Sequence, residues 1–442
     1  MTTDTVDAVV VGGSLRGLVT AWLLQSLGYR AVLVERSERL GGADSSFVTP
    51  GGARFDHGLH VLDAHRSPLA TRLFQHVVEG RVHRQVLRRG LVLRGHVVPY
   101  NPEPEELPAA LRALLPAGEL VVELGSALPT RAQLARCYGP RFVDLVFDEV
   151  LPSYPSEHRH RAFGVDEARL LTNIYPWFFP RARRSAPGAD LSRRFHDRLR
   201  DGVPQEILYP MAGGFGGFAE GFRRGLDPAR VAVVTGTTDL HLELVPGTHQ
   251  VAWASLGGRR LTARHWFWAG AWPALCKLLA LPCQDVATDR VLLGSFVLDR
   301  PAASPYHEIL VGDPRHWLNR IAFPAKFRCA EDPLVQVEFA VPVAEPWPTD
   351  AGTWLGRWEQ DLRALGVLAP EHRIREADFR AFTMHFNGFG AEGEALRDAD
   401  PGLLAPDSNL HPVVPSMANL NLNTWVPAAV AQVTRVLAAA AP

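Results

Sequence analysis

The residues best suited to chemistry form a glycine-rich turn near the start of the 442-residue chain. Residues 12–17 read GGSLRG and follow a short apolar run that ends at Val11. Glycine at the first and last of these positions permits a tight turn and close packing of a helix on a strand. The free N–H groups at the start of such a helix bind phosphate. Ser14 stands where the backbone usually approaches a pyrophosphate, so the turn predicts a dinucleotide site with one altered position.

The elements around this turn have the order strand, turn, helix, strand, acid. The apolar run from Asp7 to Val11 is typical of a buried parallel strand, and Leu18 to Leu27 has a helical pattern that stops at Gly28. Ala31 to Val34 predicts a second strand, which ends on Glu35. Glu35 is then placed to accept hydrogen bonds from both hydroxyls of an adenosine ribose. The alternative is a Rossmann-like unit that has lost its ligand.

The sequence after Glu35 favours FAD over NAD. A glycine pair, Gly41-Gly42, follows the acid by six residues, and further glycines lie between Gly51 and Gly58. Glycines in this arrangement are typical of flavoproteins, because they let the chain run past the pyrophosphate and ribityl groups of FAD in a long groove. An NAD site needs no such continuation.

Two stretches carry a family resemblance, ERSERLGG at 35–42 and ARFDHGLHVLD at 53–63. They resemble the FAD-binding start of the amine oxidase and protoporphyrinogen oxidase superfamily, in particular the branch that contains UDP-galactopyranose mutase. The resemblance implies that His60 lies beside the flavin ring as the candidate catalytic residue. It also implies that Arg320 contacts an anionic substrate and that His385 and Asn387 line the substrate pocket.

The predicted cofactor contacts combine the turn, the acid and the residues that the resemblance adds. They are Gly12, Gly13, Ser14, Leu15, Arg16, Gly17, Glu35, Arg36, Gly41, Gly42, Gly58, Leu59, Asp407 and Asn421.

Three positions depart from the family pattern. Pro406 replaces a glycine near the flavin phosphates, where it has no N–H to donate. Phe323 replaces an acidic residue of the mutases, and Met384 to Asn387 replaces a tyrosine-proline step. Phe323 and the lost tyrosine-proline step count against a standard nucleotide-sugar mutase, whereas Ser14 and Pro406 both alter contacts with the FAD phosphates.

We predict an α/β protein with a Rossmann-type FAD-binding domain, an inserted helical region and an antiparallel-sheet substrate domain. The FAD-binding domain is expected to be discontinuous, over residues 1–90, 205–290 and 380–442. The helical substrate region is expected over 91–204 and the antiparallel sheet over 291–379, ending in an amphipathic helix from Trp354 to Leu365. A substrate is expected where these layers meet the flavin.

The composition fits an enzyme with a small-molecule substrate. Hydrophobic residues make up 47% of the chain and charged residues 21%, as in a globular enzyme. The net charge is −1, so the protein as a whole has no positive electrostatic field that would attract nucleic acid. The four cysteines form no C-x-x-C pair or metal-ligand spacing, and no stretch is long and apolar enough to span a membrane. These features indicate a cytoplasmic protein without a metal, and they leave its oligomeric state open.

Three functions are compatible with these residues. The first is an FAD-dependent oxidoreductase that oxidises or dehydrogenates a small polar metabolite. The second is a redox-neutral flavin-dependent sugar mutase. The third is a flavin-free binding or scaffolding descendant of the fold. We expect the first, because Phe323 and the lost tyrosine-proline step count against the second.

Overall fold

The computed structural model describes residues 3–65, 67–100, 104–115, 135–136, 139–150, 206–248, 250–280, 288–343, 346–385, 408–413 and 422–439. Contacts divide the chain into two compact units. Unit 1 comprises Met1–Arg84, Ile207–Val286 and Asn387–Pro442, and unit 2 comprises Gln85–Glu206 and Ala287–Phe386. Each unit is therefore assembled from segments that are distant in sequence.

Unit 1 contains a seven-stranded sheet with a parallel centre. Numbered along the chain, its strands are β1 (Thr3–Val11), β2 (Ala31–Val34), β10 (Val231–Val234), β11 (His241–Leu244), β12 (Val251–Leu256), β13 (Arg259–Trp268) and β19 (Leu410–Pro412). The order is β10-β2-β1-β13-β12-β11, and β19 pairs in parallel with the end of β13. The central strands are almost wholly apolar from Ala8 to Val11 and in β2, and these residues are buried, as parallel strands covered on both faces require.

Five helices complete unit 1 within the described residues. They are α1 (Leu15–Ser26), α2 (Pro68–Val77), α5 (Gly217–Arg224), α6 (Trp272–Leu278) and α9 (Leu422–Ala439). Both α1 and α2 pack against α5 and α9. Aromatic rings fill the space between α2 and α5, with the Phe74 ring centre 4.8 Å from that of Phe218 and 5.5 Å from that of Phe222.

Short strands form two further, smaller sheets. The first pairs β3 (Ser46–Val48) with β4 (Arg54–Asp56). The second has the order β5-β9-β6 and consists of β5 (Leu62–Asp63), β9 (Glu206–Pro210) and β6 (Val82–Val86). A 3₁₀ turn, Gly42–Asp44, precedes β3.

Unit 2 is built on a second seven-stranded sheet, which is mainly antiparallel. Its strands are β7 (Arg89–Leu93), β8 (His96–Pro99), β14 (Thr288–Leu298), β15 (Glu308–Val311), β16 (Arg320–Ala322), β17 (Leu334–Pro342) and β18 (Ile374–His385). The order is β18-β14-β17-β16-β15-β7-β8, and β15 pairs in parallel with β7. The described helices are α3 (Ala109–Arg112), α4 (Pro140–Asp144) with a π-helical continuation (Leu145–Val150), α7 (Pro324–Phe327) and α8 (Ala351–Ala364).

The core of unit 2 forms where α8 packs on the sheet. Trp354 and Trp358 of α8 are fully buried, and a Cβ at Gly294 of β14 would lie 2.4 Å from the Trp358 ring. Glycine at this position therefore lets the helix approach the strand closely. Asp361 of α8 is also buried and accepts hydrogen bonds from Trp317 N and His316 Nδ1, at 2.8 and 3.0 Å.

The predicted fold class is confirmed by these two sheets. Unit 1 has the Rossmann-type βαβ start, and unit 2 has the antiparallel sheet. The helix predicted from Trp354 begins three residues earlier, because the Asp350 side chain accepts the Thr353 N–H at 2.7 Å and caps it. Within the expected helical region, residues 105–115 also predict a helix. They form only the end of a 3₁₀ turn (Pro104–Glu106) and α3, since Pro108 interrupts the run.

Much of the expected helical region, 151–204, lies outside the described residues. Within the part of the chain that the structure describes, no helix combines the length and apolarity needed to cross a membrane.

Candidate dinucleotide site

Glycine is required sterically at both ends of the turn between β1 and α1. Gly12 has φ +106°, and a Cβ there would lie 2.7 Å from the Gly270 N. A Cβ at Gly17 would lie 1.8 Å from the Gly12 carbonyl oxygen. No side chain fits at that distance, so only glycine allows α1 to pack this closely behind β1.

The start of α1 is open to an anion. Ser14 is the N-cap residue but makes no side-chain capping hydrogen bond, and no acidic residue lies in the first turn. The helix therefore keeps the partial positive charge of its free N–H groups. Arg16 adds a full positive charge in the same turn, while its Nη1 lies 3.4 Å from the Val413 carbonyl oxygen. This donor set fits a phosphate group.

The Ser14 side chain is turned away from the helix. Its hydroxyl donates to the Ala269 carbonyl at 3.3 Å, and its backbone forms a bridge with Gly41. The Gly41 N–H donates to the Gly13 carbonyl at 2.8 Å, and a Cβ at Gly42 would lie 3.2 Å from the Ser14 Cβ. The glycine pair therefore lets the second loop cross directly over the turn even though position 14 carries a side chain.

Glu35 lies at the end of β2, but its carboxylate already binds the protein. Oε2 accepts the Gly13 N–H at 2.6 Å, and Oε1 accepts the Ser37 N–H and hydroxyl at 2.8 and 2.9 Å. A carboxylate has about four acceptor sites, so one site on Oε2 is left for a further donor. The geometry thus fits one ribose hydroxyl better than two. The neighbouring Arg36 is exposed.

His60 lies close to the same loop. Its Nδ1 is 3.6 Å from an Asp44 carboxylate oxygen, its Nε2 is 3.4 Å from the His57 carbonyl, and its ring centre is 5.5 Å from that of Phe215. Gly58, with φ +98°, makes the turn that brings the ring there. Asp44 lies two residues after the glycine pair, and nothing else in the sequence indicated its contact with His60.

Asp56, at the end of β4, links this strand to β9 and to the turn before α5. The carboxylate accepts hydrogen bonds from the Ser46 hydroxyl at 2.5 Å, the Tyr209 hydroxyl at 2.5 Å and the Phe215 N–H at 3.0 Å. A Cβ at Gly214 would lie 2.6 Å from its Oδ1, so glycine is needed for this approach. Asp56 belongs to the motif at 53–63, but the local sequence gave no reason to assign it a role. Its burial and its close contact with Gly214 depend on residues far away in the sequence.

Arg320 belongs to an ion-pair network in unit 2. Its Nε lies 3.6 Å from a Glu308 oxygen and its Nη1 lies 3.8 Å from a Glu338 oxygen. Arg89 donates to the other Glu308 oxygen. Burial alone would raise the pKa of Glu308, but the two arginines outweigh burial and hold this pKa below its ordinary value. The charge of Arg320 is therefore shared with two carboxylates, and its role toward a substrate stays a prediction.

The remaining predicted residues are only partly visible. His385 ends β18 opposite Thr288, and its side chain is outside the described part. Asn387, Asp407 and Asn421 lie outside the described residues altogether.

Comparison with known proteins identifies the N-terminal segment and the fold. Residues 10–77 match the family described as NAD(P)-binding Rossmann-like domain. A 51-residue stretch is 49% identical to the phytoene desaturase (neurosporene-forming) of Rhodobacter capsulatus. That stretch covers 12% of this chain and 10% of the length of the desaturase.

Several solved structures have the same fold over almost the whole chain. Reduced UDP-galactopyranose mutase has a TM-score of 0.70 at 16% identity and covers 98% of this chain and 96% of its own. A putative protoporphyrinogen oxidase from Exiguobacterium sp. 255-15 has a TM-score of 0.69 at 14% identity, over 98% and 99% of the two chains. A putrescine oxidase triple mutant has a TM-score of 0.56 at 13% identity, over 99% of each chain. The resemblance to the amine oxidase and protoporphyrinogen oxidase superfamily is confirmed at the level of the fold.

Proposed function

We propose that this protein is an FAD-dependent oxidoreductase that oxidises or dehydrogenates a small polar metabolite. The observation that carries the proposal is the uncapped start of α1 behind the tight turn at Gly12 and Gly17, with Glu35 at the end of the next strand. These are the parts that a dinucleotide needs, namely phosphate donors and a ribose acceptor. The sequence resemblance favours FAD as the dinucleotide.

Each cofactor contact would come from this chain as follows. The N–H groups at the start of α1 and the Arg16 side chain would hold the pyrophosphate, and Glu35 would accept one ribose hydroxyl. Gly41 and Gly42 cross over Ser14 without side chains, which would leave room for the cofactor to extend beyond the turn. When bound, the flavin supplies the acceptor for a hydride from the substrate.

His60 would orient the substrate in this proposal. Asp44 faces its Nδ1 and Phe215 lies against its ring, so the imidazole has a defined position. About a quarter of the side chain, 27%, remains accessible. A fixed and partly accessible imidazole can donate to or accept from a polar group of the substrate.

The test is anaerobic reduction of the flavin by candidate substrates. We expect at least one small alcohol, amine or α-hydroxy compound to bleach the flavin absorbance of the purified protein. His60→Gln should lower the bleaching rate by about tenfold, the factor that corresponds to one lost hydrogen bond of about 1–1.5 kcal/mol to the substrate. His76→Gln, an exposed histidine on α2 of the same unit, is the matched control and should leave the rate unchanged.

A redox-neutral mutase is the second candidate, because the mutase shares the fold over 98% of this chain. A mutase would rearrange a nucleotide sugar only after prior reduction of its flavin and would produce no net electron transfer. Conversion of a sugar nucleotide by the pre-reduced protein, without any bleaching substrate, would favour the mutase over the oxidoreductase. A purified protein that neither contains nor binds flavin would favour the binding-protein alternative.

A further inference from the structure

A cleft of about 1180 Å³ opens in unit 1 on a different set of residues from the dinucleotide turn. Its walls are the loop after β2, β3 and β4, the segment after α2, the turn before α5 with α5 itself, and β10. None of the predicted cofactor residues that the structure describes lines this cleft. The cleft is therefore a second candidate site, and its ligand need not be the cofactor.

The walls of the cleft are strongly basic. Five arginines line it, Arg39, Arg54, Arg81, Arg223 and Arg224, against two glutamates, Glu38 and Glu220.

Two of the five arginines have carboxylate partners, since Arg81 pairs with Glu79 at 3.1 Å and Arg223 pairs with Glu220. Glu220 is occupied by Arg223 through two hydrogen bonds of 2.6 and 2.7 Å. Across the described chain, neither Arg39 nor Arg54 has a carboxylate within ion-pair distance. Guanidinium groups that converge on one cleft without carboxylate partners suit an anionic ligand, because each offers a planar fork of donors.

The same cleft also exposes apolar side chains. Met211 is 54% exposed and Val233 is 40% exposed, and both line the cleft together with Ala212 and Ala232. Apolar side chains inside a concave surface offer contact area to an apolar or aromatic group. In addition, the N–H groups of Ala212 and Gly213 donate to no other group in the described part of the chain, so they add neutral donors beside the arginines.

We propose that this cleft binds an organic phosphate, that is, a small molecule with a phosphate or diphosphate group and an apolar or aromatic body. The arginines would bind the phosphate oxygens, and the Met211 and Val233 side would contact the body. A free carboxylate ligand would satisfy only one guanidinium fork, whereas a diphosphate presents enough oxygens for several. The shared chemistry covers both a nucleotide and an isoprenoid diphosphate, which differ in the body.

The experiment is calorimetric titration of the full-length protein, loaded with FAD and then freed of unbound FAD, with four probes. Bound FAD keeps the probes out of the dinucleotide turn, and removal of the excess leaves the cleft free of FAD. The probes are ADP, geranyl diphosphate, inorganic pyrophosphate and geraniol. We expect ADP or geranyl diphosphate to bind more tightly than pyrophosphate, and geraniol to bind weakly, because both parts of the ligand contribute. The tighter of the two organic diphosphates identifies the body.

The arginine variants assign the binding to this cleft. Arg39→Gln and Arg54→Gln should each raise the Kd about tenfold, the factor that one lost hydrogen bond to a charged group represents at its lower limit. Arg72→Gln is the matched control, since Arg72 is an exposed arginine on α2 that does not line the cleft. Absence of binding by both organic diphosphates would overturn the proposal, and so would binding that is unchanged in the Arg39 and Arg54 variants or equally weakened by Arg72→Gln.

Discussion

Asp56→Ala should destabilise the protein strongly, because the carboxylate accepts hydrogen bonds from two buried donors. The Tyr209 hydroxyl, on a side chain that is 2% exposed, and the N–H of the fully buried Phe215 would both lose their acceptor. An orphaned buried donor costs about 1–3 kcal/mol, so for two donors we expect the free energy of unfolding to fall by about 2–6 kcal/mol in total. The Ser46 hydroxyl contributes less, since it is partly accessible and can bind water.

The assay is urea unfolding followed by circular dichroism, with two comparison variants. Tyr209→Phe removes one of the two orphaned donors together with its bond, so it should cost about 1–2 kcal/mol, and Asp56→Ala should then cost less in that background. Asp239→Ala is the control, since this exposed carboxylate accepts a single backbone N–H, from Gly257, at 3.0 Å. A loss below about 1 kcal/mol for Asp56→Ala, or equal losses for Asp56 and Asp239, would refute the reasoning about orphaned donors.

Three further predictions concern the turn, the ribose acceptor and acid stability. Ser14→Gly should bind FAD as tightly as the native chain or more tightly, because it loses only a 3.3 Å hydrogen bond to Ala269 and gains space beneath Gly42. If equilibrium titration shows instead that FAD binding is lost, the Ser14 hydroxyl is a required ligand. Glu35→Ala should weaken FAD binding by about 1–3 kcal/mol. Ser37→Ala removes one protein contact of the same carboxylate and should leave the Kd for FAD unchanged. Equal effects of the two variants on this Kd would argue against a ribose contact. Burial and the nearby Lys326 lower the pKa of His307 to about 4, and the neutral ring uses both nitrogens, accepting from Arg88 N–H and bonding to Gln85. Since the pKa is lower in the folded state, the stability that His307 contributes is complete above about pH 6.5 and is lost as pH falls toward 4, so His307→Gln should melt with a weaker pH dependence over that window. Parallel melting curves for the native chain and the variant from pH 7 to pH 4 would contradict this.

Local sequence patterns predicted the start of unit 1 well because each position there has a single steric solution. Gly12 and Gly17 could be assigned from spacing alone, since a side chain at either place would overlap the backbone of a neighbouring strand or turn. The second strand was also predicted with its observed bounds, because four apolar residues between Arg30 and Glu35 leave little choice.

Contacts between distant segments could not be read in the same way. The hydrogen bonds from Tyr209 and Phe215 to Asp56 join residues more than 150 positions apart, and no local pattern encodes such a pairing. The carboxylates around Arg320 come from two other strands of its sheet, so its neighbours also depended on the strand order. The basic cleft could not be predicted from the sequence either, because its arginines come from four separate segments of the chain.

The central claim is that the turn at residues 12–17 holds FAD, and identification of the bound nucleotide tests it most directly. The purified full-length protein is denatured, and the released small molecules are measured by mass spectrometry and by absorbance in the visible range. We predict about one FAD per chain in the native protein, or after incubation with FAD, and a large loss of bound FAD in Gly17→Val, whose Cβ would overlap the Gly12 carbonyl. Stoichiometric NAD or NADP without flavin, or a folded protein that binds neither dinucleotide, would contradict the account.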